Sequence, residues 1–127
     1  MNCRTLIFLL SLSVVLLTFA GCGKEKLYKV SGTVTYQGEL IPDGSISFVP
    51  SDPKLSPQGA PIRDGKYTAQ VRKGTMTVRI TGSKPDPNEK MYDGTPVWTD
   101  FVPEKYSTQS TLTVEIKGNQ TENFDLE

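Results

Sequence analysis

Side chains able to do covalent or metal chemistry are scarce in this chain, and the scarcity bounds what it can catalyse. There is no histidine, and the only cysteines are Cys3 and Cys22. A Ser–His or Cys–His nucleophile pair cannot be assembled without histidine. A zinc site built on imidazole or on several thiolates is excluded for the same reason. Carboxylate and lysine chemistry remains. Asp43, Asp64 and Asp93 each precede a glycine. Calcium would need about six to eight converging oxygens, and the spacing of these residues matches no helix-loop-helix calcium loop. Asp-Gly is a common turn pair, so the three read as turns. Asn119-Gln120-Thr121 fits the acceptor pattern for N-glycosylation and also reads as a turn. No catalytic set, metal or cofactor is expected.

Cys22 is the one reactive residue whose position carries information. Arg4 is the only charge ahead of it, and Thr5 to Phe19 is almost wholly apolar. At about 1.5 Å per residue this run would cover only ~22 Å as a helix, short of the ~30 Å of a bilayer core. A basic start, a short apolar stretch and a small-residue exit describe a cleaved secretory signal peptide over residues 1–21. The exit, Phe19-Ala20-Gly21-Cys22, resembles the bacterial lipobox, with Phe19 standing where an aliphatic residue is preferred. That resemblance implies that Cys22 becomes the first residue of the mature chain. Its thiol would carry a diacylglycerol, and its freed amine a further acyl group such as palmitate. Two or more acyl chains anchor a protein stably, whereas one does so only reversibly. An exported, membrane-anchored lipoprotein of the cell envelope is therefore expected, with residues 22–26 as lipidated cysteine and short tether.

The remaining chain, residues 27–127, suits one domain. Cleavage would keep all 14 acidic residues and 13 of the 14 basic ones, leaving no basic field to hold nucleic acid. Strand signals run along it. Tyr28 to Tyr36 alternates, with Tyr28, Val30, Gly32, Val34 and Tyr36 on one face. Ser45 to Val49 is a second strand, and Ser51 to Pro61 a proline-rich loop leading into a short strand at Ala60 to Arg63. Lys66–Val71 and Thr75–Thr81 read as a hairpin joined at Arg72-Lys73-Gly74. Ser110–Lys117 and Thr121–Leu126 are the last strands. Gln37-Gly38, Pro42-Asp43-Gly44 and Asp64-Gly65 mark turns. No stretch keeps helical periodicity. The pattern predicts an all-β fold, an antiparallel β-sandwich of about seven strands.

Between the strands lies a long irregular segment, Gly82 to Thr108. Its portion 84–106 concentrates Tyr92, Trp98, Phe101 and Tyr106. Long loops are often functional. Aromatic faces beside carboxylates can stack on sugars or anchor a protein partner. These four residues are the candidate partner-binding set. The competing expectation is that Trp98 and Phe101 fold back as a lid over the open end of the sandwich.

The stretches VSGTVTYQGELIPDGSISFVP and DGKYTAQVRKGTMTVRI resemble carboxypeptidase regulatory-like domains, also described as transthyretin-like. The ending VPEKYSTQSTLTVEIKGNQTENFDL is similar to small lipoproteins of this group of the planctomycete type. The likeness covers nearly the whole mature chain and implies a prealbumin-like sandwich. The matching residues Gly32, Gly38, Pro42, Gly44, Gly65 and Tyr67 have structural reasons to be there, and no catalytic residue carries over. What the resemblance implies is a non-catalytic binding or structural module, with an envelope protein or glycan as partner. A small-ligand or carbohydrate carrier using 84–106 is the alternative, and a carboxylate-dependent enzyme a more distant one.

Overall fold

Alternation of apolar and polar residues along short segments builds every element. The computed structural model describes residues 25–127. The signal-peptide reading of 1–21 and the lipidation of Cys22 fall outside these residues. The strands are β1 (Leu27–Tyr36), β2 (Glu39–Leu40), β3 (Asp43–Pro50), β4 (Gln58–Arg63), β5 (Lys66–Arg72), β6 (Gly74–Lys90), β7 (Pro96–Asp100), β8 (Thr113–Ile116), β9 (Gln120–Thr121) and β10 (Phe124–Leu126). A single 3₁₀ turn covers Glu104–Tyr106.

The sheet runs in the order β10-β1-β5-β4-β3-β6-β7, with β2 and β9 also on β1 and β8 on β6. Two tight hairpins set local register. Gln37 and Gly38 (φ 51° and 80°) join β1 to β2, and Asp64 and Gly65 (φ 51° and 73°) join β4 to β5. Both central residues are left-handed, as the turn that matches strand twist requires. The fold is all-β, and the pairs between neighbours in chain-adjacent hairpins are antiparallel. The last two strands differ, because β9 and β10 lie parallel to β1.

β8 sits on β6 and β9 sits on β1, near opposite ends of the strand order, yet only Lys117 to Asn119 separates them. So short a link spans only ~10–14 Å. It forces the sheet to curl until its two flanks meet. The interior of the curl holds one cluster: Val30 and Val34 from β1, Ile46 and Phe48 from β3, Ile62, Val71, Met76, Val78, Ile80, Ile116 and Leu126 among them. Each such side chain contributes roughly 1.5–3 kcal/mol by leaving water.

The expected hairpin at Arg72-Lys73-Gly74 is not formed. β5 pairs with β1 and β4, whereas β6 pairs with β3, β7 and β8. Lys73 is a corner at which the chain crosses the curl, so Tyr67, Ala69 and Val71 meet Met76, Val78 and Ile80 through the core and not along a ladder. Period-two patterning identifies the inner face of a strand but not its neighbour. Pro42-Asp43-Gly44 is likewise not a turn throughout, because β3 already begins at Asp43, whose carboxylate pairs with Arg63.

The expected final strand Thr121–Leu126 is split at Glu122-Asn123. Across this break the Glu122 N–H still donates to the Ser31 carbonyl at 2.9 Å, and side chains supply the neighbouring bonds to this edge of β1. Asn123 Oδ1 accepts the Thr33 N–H at 2.9 Å, and Asn119 Oδ1 accepts the Lys29 N–H at 2.9 Å. The Tyr67 hydroxyl, reaching through the core, donates to the Glu122 carbonyl at 2.7 Å. Burial, and the nearby Glu122 carboxylate, raise the Tyr67 pKa far above the ordinary tyrosine range.

Candidate functional site

The segment read as irregular is a two-stranded ribbon. β6 continues past the end of β3, whose last partner is Ser83, and from Lys84 onward it pairs only with β7. Pro85 and Pro87 lie within β6 and are tolerated there. The Phe101 N–H donates to the Gly82 carbonyl at 3.0 Å. Alternation from that bond makes Pro85↔Trp98 a pair without ladder hydrogen bonds. The missing N–H of Pro85 thus points away from β7, where no acceptor waits. The tip is closed by Asp93, whose carboxylate accepts the Thr95 N–H at 3.0 Å and its hydroxyl at 2.6 Å. Those bonds, the hydroxyl's first, lower the Asp93 pKa. Asp93-Gly94 is therefore the turn its sequence suggests, with Gly94 at φ 87°.

The four candidate aromatics divide into two pairs. Tyr92, at the ribbon tip, is fully exposed, and Trp98 is 51% exposed. Met91 beside Tyr92 and Leu40 on β2 are exposed too. Phe101 and Tyr106 instead pack against the core and converge on Tyr36, with ring centroids at 5.7 Å and 6.4 Å. The Tyr106 hydroxyl donates to the Glu127 carbonyl and accepts its N–H at 3.0 Å. These two rings close the end of the curl; of the pair expected as a lid, Phe101 packs there and Trp98 stays exposed. Their role was not separable in the sequence, where Trp98 and Phe101 stand on one segment.

A shallow groove of about 240 Å³ opens where the ribbon leaves the sheet, lined by Lys84, Pro85, Asp86, Asn88, Thr99 and Phe101. The Lys84 ammonium lies 5.0 Å from the centre of the Phe101 ring, within cation–π reach. The groove offers a cation, a carboxylate and an amide beside an aromatic ring.

The opposite end of the domain is organised by Arg72, which sequence patterning did not single out. Its side chain is 13% exposed and grips Glu25 with two bonds, Nε to Oε1 at 2.6 Å and Nη2 to Oε2 at 2.9 Å. It also donates to the Ser56 carbonyl at 2.6 Å. The tether residue, the β3–β4 loop and the β5–β6 corner are thereby held together. The guanidinium lowers the Glu25 pKa, chiefly through these hydrogen bonds, and the carboxylate raises that of Arg72. A second groove of about 350 Å³ lies between that loop and corner, lined by Pro50, Asp52, Leu55, Lys73 and Met76 among others.

Among the described residues there is no group of three or more side chains placed to hold a metal ion. No helix there is long and apolar enough to cross a membrane. No family model matches the chain, and no curated protein matches it. Among solved structures, the crystal structure of a 9R-lipoxygenase from Cyanothece PCC8801 matches with a TM-score of 0.38 and 13% identity over 98% of this chain. The chain spans 20% of that enzyme's length. A likeness so distant says nothing about chemistry.

Proposed function

We propose that the chain is a membrane-anchored lipoprotein whose domain is a non-catalytic binding or structural module of the cell envelope. In this reading the curled sheet is a prealbumin-like sandwich of the carboxypeptidase regulatory-like type. The observation that carries the reading is the polarity of the domain. Glu25, within the tether, is clasped at one end, and the ribbon bearing Tyr92 and Trp98 projects from the other. An anchor at Cys22 would present that ribbon away from the membrane, where an envelope protein or glycan can reach it. Exposed aromatic rings suit such a contact, since they give large contact area for little lost freedom.

The anchor is tested by Cys22→Ser, which removes the thiol. Metabolic labelling with radioactive palmitate should mark the wild type and not the variant, and equal labelling ends the lipoprotein reading. The contact is tested by Tyr92→Ala with Trp98→Ala, which should keep the cooperative melt and lose envelope partners in cross-linking. A second reading, a carbohydrate or small-ligand carrier, is favoured by the groove at Phe101, where Asp86 and Asn88 flank the ring. A sugar that bound there would raise the melting temperature in a concentration-dependent way.

A further inference from the structure

We propose that the tether end of the domain is a docking face for an anionic phospholipid bilayer, formed by Lys26, Leu27, Lys54, Leu55, Lys73 and Lys117. The proposal rests on the anchored reading above and adds the orientation and the lipid chemistry. Strand register places these residues together. Leu27 pairs with Arg72, Phe48 with Gln58, Pro50 with Met76, and Gly74 with Ile116. The start of β1, the loop 51–57, the corner at Lys73 and the turn at Lys117 therefore share one end of the curl. The Arg72 bonds to Glu25 and to the Ser56 carbonyl draw the first three into contact.

Charge is sorted along the same axis. The four lysines are exposed. Against these lysines and Arg72 stand three carboxylates: Glu25, paired with Arg72, Glu115, 4.0 Å from Lys117, and Asp52, which accepts only the backbone N–H of Lys54 at 2.9 Å and keeps its charge. At the far end carboxylates outnumber cations, with Glu39, Asp64, Asp100, Glu104, Asp125 and Glu127 all exposed. The formal net charge of the chain is zero, so this polarity is a product of folding. Leu27 and Leu55, each 40% exposed, stand among the lysines. Apolar side chains ringed by lysine suit the headgroup boundary of an anionic leaflet.

The chain itself points to the occupant. The apolar run Thr5–Phe19 and Cys22 lie directly upstream of Glu25. From Cys22 to the clasped Glu25 an extended backbone spans at most about 11 Å. An acylated Cys22 would hold this end at the headgroups, so even a weak face would be occupied at high effective concentration. Each lysine near an anionic surface favours the docked state by roughly fivefold. Reversing three should reduce it by a factor on the order of 100 or more.

The test uses Trp98, the only tryptophan, as a reporter at the far end. The mature chain, residues 22–127, is coupled through Cys22 to a maleimide lipid in vesicles that carry brominated acyl chains. A second protein carries Trp98→Phe and Leu55→Trp, which moves the reporter to the tether end. On vesicles with phosphatidylglycerol at low salt, the reporter at position 55 should be quenched and blue-shifted, and Trp98 should not. Lys54→Glu, Lys73→Glu and Lys117→Glu together, or half-molar salt, should relieve the quenching. The proposal is overturned if position 55 stays unquenched, if Trp98 is quenched equally, or if neutral phosphatidylcholine vesicles or the triple reversal give the same quenching. The maleimide supplies the anchor whether or not the cell acylates Cys22. Failure of docking is therefore read separately from failure of the lipoprotein reading, which the palmitate label decides.

Discussion

Trp98→Ala and Phe101→Ala change neighbouring rings of one segment and should have opposite consequences. Phe101 is half-buried, packs on the core and tilts against Tyr36 at 5.7 Å. Truncating a fully buried phenylalanine costs about 3–5 kcal/mol. About half of that applies here, and the aromatic pair adds roughly 0.5–1.5 kcal/mol. A loss of about 2–4 kcal/mol follows, which for a domain of this size lowers Tm by about 10 °C or more. Trp98 is 51% exposed on the ribbon, where no strand but β6 lies beside it, so its truncation should cost under about 1 kcal/mol. Urea unfolding followed by circular dichroism at 25 °C measures both, with unchanged m-values as the check that the unfolded reference is the same. Cross-linking in envelope extracts supplies the other axis. Trp98→Ala should lose partners while staying folded, and Phe101→Ala should keep partners below its melting point. If Trp98→Ala destabilises as much as Phe101→Ala, the ribbon packs on the domain in solution and the division between exposed and closing rings is wrong.

Two further perturbations probe the frame that holds these ends apart. Tyr67 has a raised pKa, so its contribution is complete below the ordinary tyrosine value of 10.0 and declines as pH rises above it. Urea titrations should show stability falling by about 1.4 kcal/mol per pH unit beyond about pH 10. Tyr67→Phe should remove that share of the slope, at a loss of about 1–3 kcal/mol near neutrality as the Glu122 carbonyl loses its donor; an unchanged alkaline slope contradicts the assignment. Gly32→Ala would place a Cβ 1.9 Å from the Glu122 carbonyl oxygen, so β1 and the 121–123 segment must separate. Amide exchange should accelerate at Thr33 and Glu122 first, whereas exchange like the wild type would show that this close approach does not exist.

How much of this could be read before the fold was seen depends on how local the cause is. The strands were legible because the pleat repeats every two residues, and Val30, Val34, Ile46, Phe48, Val78 and Ile80 are all buried where alternation puts them. Both left-handed turns were legible because Gln37-Gly38 and Asp64-Gly65 meet a steric need within the pair itself. Strand neighbours were not, since β5 and β6 carry the same pattern whether they share a ladder or face each other across the core. The ribbon was read as an irregular segment because Lys84 to Lys90 carries no apolar alternation, and a strand with a partner on one side only, as at Pro85, needs none. Asn119 was read as a turn residue and Asn123 as part of the last strand, and their work of capping β1 depends on a parallel strand that no local pattern announces. The aromatics were found by composition, but their division required knowing that β3 begins opposite Ser83 and reaches no further along β6, which frees Trp98 and leaves Phe101 over Tyr36. Charge shows the same limit most plainly. A chain of zero net charge carries no electrostatic message in its composition. Only when the curl gathers Lys26, Lys54, Lys73 and Lys117 at the end where the tether leaves, with Arg72 absorbing Glu25, does the domain acquire a positive face on the side from which a membrane anchor would pull.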